Sequence, residues 1–205
     1  MNADGSGRSQ LTVDPAGDVN PNWSPDGTRI AFQSNRGGSA DIYVMKADGT
    51  GVVRLTTSDA GDFAPVWSPD GKQIAFASNA AGSSDIYVMN ADDTSITQLT
   101  DTTAVDRSPS WSPDGRRIVF ARNEADNWEI WTMNTEGTAQ TNITSNAAHD
   151  LRPSWSPDGA KIAFDSAHEG DIRVFTTKPD GTDGTRITKG PEHDVRPLWS
   201  PRARR

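Results

Sequence analysis

The chain has 205 residues and a formal net charge of −8, with 28 acidic against 20 basic side chains. This excess of negative charge argues against a general nucleic-acid-binding surface. The absence of cysteine excludes disulfides, thiolate metal sites and cysteine nucleophiles. No apolar run is long enough to span a membrane, so membrane insertion is not expected. The N-terminus lacks the basic and apolar regions of a signal peptide, and the compartment stays unknown.

One phrase recurs along the chain at a fixed interval. "WSPDGTRIAF" begins at Trp23 and returns with small changes at Trp67, Trp111 and Trp155, each time after 44 residues, and "WSPRARR" begins at Trp199. A fixed period of about 20 to 50 residues is the signature of a repeat architecture. We therefore interpret the chain as a single domain, 1–205. It comprises a partial unit at 1–12, complete repeats at about 17–56, 61–100, 105–144 and 149–188, and a trailing first strand at 193–200.

Each repeat contains four short β-prone segments separated by turn residues. In the second repeat these are "DFAPVW" (62–67), "KQIAFAS" (72–78), "DIYVMN" (85–90) and "ITQLT" (96–100). The Ser-Pro-Asp-Gly sequence after the first segment predicts a hairpin turn, because Pro presets the first central residue and Gly suits the exit.

The apolar pattern of these segments predicts how the sheets stack. "IAF" and "IYVM" place apolar side chains on both faces of a strand, as in a sheet covered on both sides. A proline in every first segment places that strand at a sheet edge; these are Pro21, Pro65, Pro109, Pro153 and Pro197. Four-stranded antiparallel sheets of about 44 residues, stacked in this way, predict an all-β fold, a β-propeller with a split, incomplete fifth blade.

The pattern "P-x-WSPDG-x-x-IAF … DIYVM-x-ADGT … LT" resembles the WD-repeat-like blade of the TolB family. Similar blades occur in the propellers of prolyl-oligopeptidase-type peptidases and of some bacterial lyases. The resemblance covers essentially the whole chain. It implies first strands that line a central channel and a periplasmic or extracytoplasmic, bacterial protein that binds partner proteins rather than catalysing a reaction. TolB itself has a further α/β domain and six blades, so blade number and ring closure are open here. Three arrangements fit the sequence. The first is a ring of five blades whose last blade has few strands, the second is a compact ring of four blades with extra segments at both ends, and the third is an oligomer in which chains complete each other's blades.

Two columns of the repeat stand out as candidate sites. The tryptophans are interpreted as packing between blades. The aspartates that open the first strands are Asp18, Asp62, Asp106, Asp150 and Asp194. In a closed ring these carboxylates would form a ring at one channel mouth, where a divalent cation or an ammonium group of a partner could bind. The alternative is that each aspartate caps its own loop by accepting hydrogen bonds from local amides.

A histidine precedes the last two of these aspartates, giving His149-Asp150 and His193-Asp194. If neighbouring blades bring them together, these four side chains form a nitrogen and oxygen ligand set suited to Zn²⁺ or Mn²⁺. In the lyases that the repeat resembles, histidines at the channel mouth bind a metal. Apart from this set, no cofactor is expected.

Positions that depart from the repeat are the candidates for contacting a partner. Trp128 is read as an exposed aromatic in a hairpin loop, and Arg122 replaces a serine. Arg152 and Arg196 follow the first-strand aspartate by two residues, which on a regular strand puts them on the same side as that aspartate.

Three functions follow from these observations. The first is a non-catalytic binding or scaffold module for a protein or peptide. The second is a metal-assisted lyase or hydrolase that uses His149 and His193 at the channel mouth. The third is a self-assembling repeat scaffold whose unpaired strand edges form a homo-oligomer. No G-x-S-x-G, P-loop or HExxH motif is present, so no catalytic residue is assigned.

Overall fold

A computed structural model of the chain describes residues 4–92, 95–190 and 193–200. Its four antiparallel sheets of four strands are arranged as the blades of a propeller, with a 3-10 turn at His168–Gly170 as the only helical element in the described ranges. The first two blades contain β1 (Asp18–Trp23), β2 (Arg29–Ser34), β3 (Asp41–Lys46), β4 (Val53–Arg54), β5 (Asp62–Trp67), β6 (Gln73–Ser78), β7 (Asp85–Asn90) and β8 (Ile96–Gln98). The last two contain β9 (Val105–Trp111), β10 (Arg117–Glu124), β11 (Asn127–Asn134), β12 (Thr141–Asn142), β13 (Asp150–Trp155), β14 (Ile162–Ser166), β15 (Arg173–Thr177) and β16 (Thr185–Arg186). The predicted propeller with four complete repeats is confirmed.

The strands of each blade follow one another in chain order, so the proline-containing strands β1, β5, β9 and β13 all lie at a sheet edge, as predicted. Successive inner strands pack against one another from β1 to β13. In the described ranges, no comparable packing joins β13 back to β1.

The Ser-Pro-Asp-Gly turns form the same hydrogen-bonded unit in every blade. In blade 3 the Gly115 amide donates to the Ser112 carbonyl at 2.9 Å, and the Ser112 hydroxyl donates to the Asp114 carboxylate at 2.6 Å. In blade 1 the equivalent hydrogen bonds from Ser24 and Thr28 lower the pKa of Asp26 to about 2. The aspartate of the phrase is therefore a turn-forming residue, as predicted.

Gly115 tests the backbone requirement of this turn. It has φ +69°, and an added Cβ would meet only Pro69, at 3.9 Å, so Gly115→Ala adds left-handed strain without a clash. We expect it to lower the free energy of unfolding by about 1–2 kcal/mol, measured by urea denaturation. The control is Gly184→Ala, whose Cβ would meet nothing within 4 Å and whose φ lies outside the left-handed range, and which should leave stability nearly unchanged. Equal effects of the two substitutions would contradict the turn geometry.

The hydrophobic core lies between the blades. Between blades 1 and 2, Ala31, Ile42 and Val44 pack against Trp67 and Phe76. The other two interfaces repeat the pattern, with Trp111 and Phe120 between blades 2 and 3, and Trp155 and Phe164 between blades 3 and 4. Trp67, Trp111 and Trp155 thus pack on the blade before them, and Trp23, on which no earlier blade packs in the described ranges, is 55% exposed.

The two terminal segments occupy the places that further blades would fill. The backbone amide of Asp194 donates to the Ile172 carbonyl at 3.1 Å, as Asp106 does to Ser84 at 2.6 Å. Trp199 donates through Nε1 to the Ser154 carbonyl at 3.0 Å. The segment 194–199 therefore sits on blade 4 as the next inner strand would, although it pairs with no strand in the described ranges. At the other end Leu11 packs on blade 1 and fits there because residue 49 is glycine.

Candidate functional site

The inner strands enclose a cavity of about 760 Å³. Its lining comes mainly from β1, β5, β9, β13 and the segment 194–199, with Pro69 and Trp128 of β11 added, so every blade contributes. The side chains that depart most from the repeat at this lining are Arg107, Trp128, Arg152, Arg196 and Leu198. This channel cavity is a concave surface to which all four blades contribute.

A bulge in each inner strand turns one side chain toward the cavity. The pairing of the inner strand with its neighbour shifts register two residues after the aspartate in all four blades. The residue at the shift has positive φ and lines the cavity in every copy: Asn20 (53°), Ala64 (50°), Ser108 (55°), Arg152 (53°) and Arg196 (58°). The prediction that Arg152 and Arg196 share a side with the aspartates is therefore wrong, because the bulge interrupts the alternation of the strand.

Four of the five aspartates begin the inner strands of the blades, and Asp194 begins the segment 194–199. Asp62, Asp106 and Asp150 are buried, and no member of the column lines the cavity. Asp106 accepts two hydrogen bonds from the buried Arg122, and Asp18 accepts two from Arg36. Asp150 accepts one from Asn146 at 2.8 Å. Asp150 thus bonds a local amide, as the loop-cap alternative has it, whereas Asp18 and Asp106 bond arginines 18 and 16 residues further along the chain. Among the described residues the column does not form an open carboxylate ring at the cavity.

Burial has a measurable consequence at Asp62. Removal from water raises its pKa, and hydrogen bonds from Ser78 and Thr56 oppose the rise. A carboxyl whose pKa is higher in the folded chain lowers stability at neutral pH, and this cost vanishes as the pH falls through the folded pKa. We expect Asp62→Asn to raise the free energy of unfolding at pH 7, with a gain that shrinks towards pH 4 in denaturation curves.

The control for this prediction is Asp26→Asn, which should change the free energy of unfolding in the opposite direction. The pKa of Asp26 is lowered from 3.8 to about 2, so Asp26→Asn should reduce stability by a constant amount between pH 7 and pH 4, and the loss should shrink only as the pH falls below 3.8. If the gain from Asp62→Asn is constant between pH 7 and pH 4, charge burial is not its cause.

The proposed metal ligands are used for backbone contacts. His149 Nδ1 accepts a hydrogen bond from the Trp128 amide at 3.3 Å, and His193 Nδ1 accepts one from the Ile172 amide at 3.2 Å. Both imidazoles thus link the start of an inner strand to the blade before it. The described residues contain no group of three or more His, Asp or Glu side chains that could hold a metal ion. The set of His149, Asp150, His193 and Asp194 is not brought together.

Two partner-contact candidates lie elsewhere than the sequence indicated. Arg122 is 3% exposed and bonded to Asp106, so its departure from the repeat serves an internal ion pair and does not present it to a partner. Trp128 lies in β11, not in a loop, and is half-buried against the core between blades 3 and 4. One face of Trp128 still belongs to the channel cavity.

The sequence interpretation missed Arg107. This residue follows the aspartate of β9, where the other copies have Val19, Phe63, Leu151 and Val195. Its exposed guanidinium lies 5.7 Å from the centre of the Trp128 ring and lines the cavity. The sequence did contain a signal for Arg107, because it is a charged residue at a repeat position that is apolar in the other four copies.

The remaining two arginines differ in their partners. Arg152 forms an ion pair with the buried Asp165 of β14. The same link exists in blade 1, where the Asn20 amide donates to Gln33 at 3.0 Å, whereas blades 2 and 3 have the smaller pairs Ala64 with Ala77 and Ser108 with Ala121. Arg196 is exposed and makes no ion pair with any residue in the described ranges.

Four-stranded blades around a lined channel define the molecule as a β-propeller whose candidate site is that channel. The model of the TolB beta propeller domain matches residues 1–63, 60–125 and 108–205, and the chain therefore belongs to this family. No helix in the described part of the chain is long and apolar enough to cross a membrane.

Solved structures share the fold over most of the chain. A TolB of Agrobacterium tumefaciens superposes with a TM-score of 0.78 at 28% identity, covering 89% of this chain and 70% of its own. TolB of Acinetobacter baumannii gives a TM-score of 0.80 at 21% identity, covering 94% of this chain and 49% of its own. Propellers of a peptidase and of an oligogalacturonate lyase share the fold alone.

A curated relative matches over a single repeat. Dipeptidyl-peptidase 5 of Porphyromonas gingivalis is 50% identical over 42 residues, which is 20% of this chain and 6% of that protein. The chain thus spans a small part of this relative and about half of the Acinetobacter protein.

Proposed function

We propose that the chain is a non-catalytic binding module that holds a protein or peptide segment in the channel cavity. The observation that carries this proposal is the cavity of about 760 Å³, whose wall bears an aromatic ring and guanidinium groups at positions that depart from the repeat. Residues released from a repeat are free to determine binding, and Trp and Arg are enriched among the residues that dominate protein interfaces. Membership of the TolB family supports the same conclusion, and by analogy an extracytoplasmic location.

The contacts of the two histidines support a binding function over metal-assisted catalysis. His149 and His193 each accept a backbone hydrogen bond through Nδ1 and are held in separate inter-blade contacts. The structural likeness to a lyase and a peptidase is a likeness of fold, from which no activity follows. Self-assembly is the other alternative, and a solution mass that stays above that of one chain on dilution would support it.

The proposal is tested by selecting binders from a displayed library of random dodecapeptides on the immobilised chain. Enriched peptides should lose binding to Trp128→Ala and keep it with Trp23→Ala, which removes a ring that lies outside the cavity. Circular dichroism establishes that both variants are folded. Failure to enrich any peptide, or equal binding by both variants, would contradict a binding site in the channel.

A further inference from the structure

We propose that the channel cavity recognises an acidic peptide segment, with Arg107 and Arg196 binding its carboxylates; this inference rests on the proposed function. The chain carries a net charge of −8, yet three arginines and no carboxylate belong to the cavity lining. Asp165 neutralises only Arg152. The cavity therefore carries the opposite charge to the molecule as a whole, and a concave surface of one sign concentrates ligands of the other.

Arg107 is positioned for an external anion. Its guanidinium lies over the Trp128 ring, and that ring is held by the core between blades 3 and 4. Stacking on a fixed aromatic ring restricts a long side chain before any ligand arrives, and leaves the in-plane N–H groups free for a carboxylate. No carboxylate in the described ranges forms an ion pair with Arg107. Packing alone gives no reason for a cation here, because the other four copies have an apolar residue.

Arg152 and Arg196 occupy the same position of the repeat in consecutive copies and both have positive φ, and the difference in their partners indicates their roles. Arg152 is bonded to Asp165 and is two-thirds buried, so it forms part of the wall. Arg196 lacks such a partner in the described ranges and is exposed beside Leu198, which is itself 87% exposed. The wall thus offers two available guanidinium groups with an apolar side chain next to one of them.

The occupant that fits this wall is a peptide in which acidic and apolar residues are mixed. A single small anion would leave most of the cavity unfilled. Leu198 and Trp128 provide apolar surface that a wholly charged ligand would not use, whereas a peptide supplies carboxylates and apolar side chains together. Arginine is the residue best suited to bind carboxylates, through paired N–H groups.

The test uses two capped, fluorescein-labelled hexapeptides, (Asp-Leu)₃ and (Asn-Leu)₃, titrated with the chain and followed by anisotropy. We expect the acidic peptide to bind about tenfold more tightly at low salt, and the difference to shrink as salt is added. Arg107→Gln should weaken the acidic peptide about fivefold and leave the neutral one unchanged. The matched control is Arg116→Gln, which removes the same charge from an exposed turn of the same blade outside the cavity.

The outcomes separate this inference from the proposed function. Equal binding of the two peptides, or equal weakening by the two variants, overturns the preference for acidic segments while leaving a peptide site in place. Arg107-dependent binding of a labelled hexagalacturonate without binding of (Asp-Leu)₃ overturns the peptide class in favour of an acidic saccharide. If the dodecapeptide selection enriches sequences without acidic residues, the inference fails and the proposed function stands. If the selection enriches nothing, the proposed function fails.

Discussion

Replacing Trp111 with alanine is expected to lower the free energy of unfolding by about 3–5 kcal/mol. Trp111 is 8% exposed and packs among the buried residues between blades 2 and 3. Its indole Nε1 donates to the Val66 carbonyl at 3.2 Å. The substitution removes this contact together with the packing, and because the flanking strands are fixed by their ladders, the space it leaves cannot close.

The control for this prediction is the same residue type at the same position of another copy. Trp23 is 55% exposed, and Trp23→Ala should cost well under half as much as Trp111→Ala. Urea denaturation of both variants, with the unfolding slopes compared, provides the measurement. If the two variants lose similar amounts of stability, the tryptophans stabilise their own blades and not the packing between blades.

The second large effect is expected at the ion pair inside blade 3. Arg122 donates from Nε and Nη2 to the two carboxylate oxygens of Asp106, at 2.7 and 2.8 Å. Both side chains are buried, so Arg122→Met leaves a carboxylate without its compensating charge. A loss of about 3–5 kcal/mol in the free energy of unfolding at pH 7 is expected, measured by denaturation.

Two further variants identify the cause of that loss. Arg36→Met breaks the equivalent but less buried pair with Asp18 and should cost clearly less. The double variant Asp106→Leu with Arg122→Met replaces the pair by apolar groups and should recover most of the lost stability. If it does not recover, the loss comes from the contacts of Arg122 with Trp131 and Phe120, over whose rings it lies at 4.7 and 5.2 Å.

The blades could be predicted because their signals are local and repeated. Pro65 at the strand edge, the Ser-Pro-Asp-Gly turn after Trp67 and the doubly apolar "IAF" each have a single structural meaning. Five copies of the proline and four of the turn and of the apolar segment reinforce it. The site could not be predicted to the same degree. The type of the residue with positive φ gives no signal of the bulge, since it ranges from Asn20 and Ala64 to Arg152. The proline that follows it in every copy fits a sheet edge as well as a bulge. If the bulge is left out, the alternation along the strand assigns the later residues to the wrong face.

Departure from a repeat proved an ambiguous signal. Arg122 and Arg107 both break their columns in blade 3, but one bonds to an aspartate of its own blade and the other faces the cavity. The difference depends on which strand face each side chain occupies after the bulge. The histidine pairs show the same ambiguity, because their spacing fits both metal ligands and acceptors for the amide of the preceding blade.

The segment 194–199 has a consequence for how the molecule holds together. It reads "DVRPLW", nearly the "DVNPNW" of β1. It docks on blade 4 through a backbone amide hydrogen bond of the kind that Asp62 and Asp106 form with the blade before them, and through an indole hydrogen bond of the kind that Trp111 forms. The energetics are therefore those of a one-dimensional array, in which each unit is stabilised by its own folding and by contact with its immediate neighbours. Blades 2 and 3 are each packed between two other blades in the described ranges, so we expect hydrogen exchange to show that they open last.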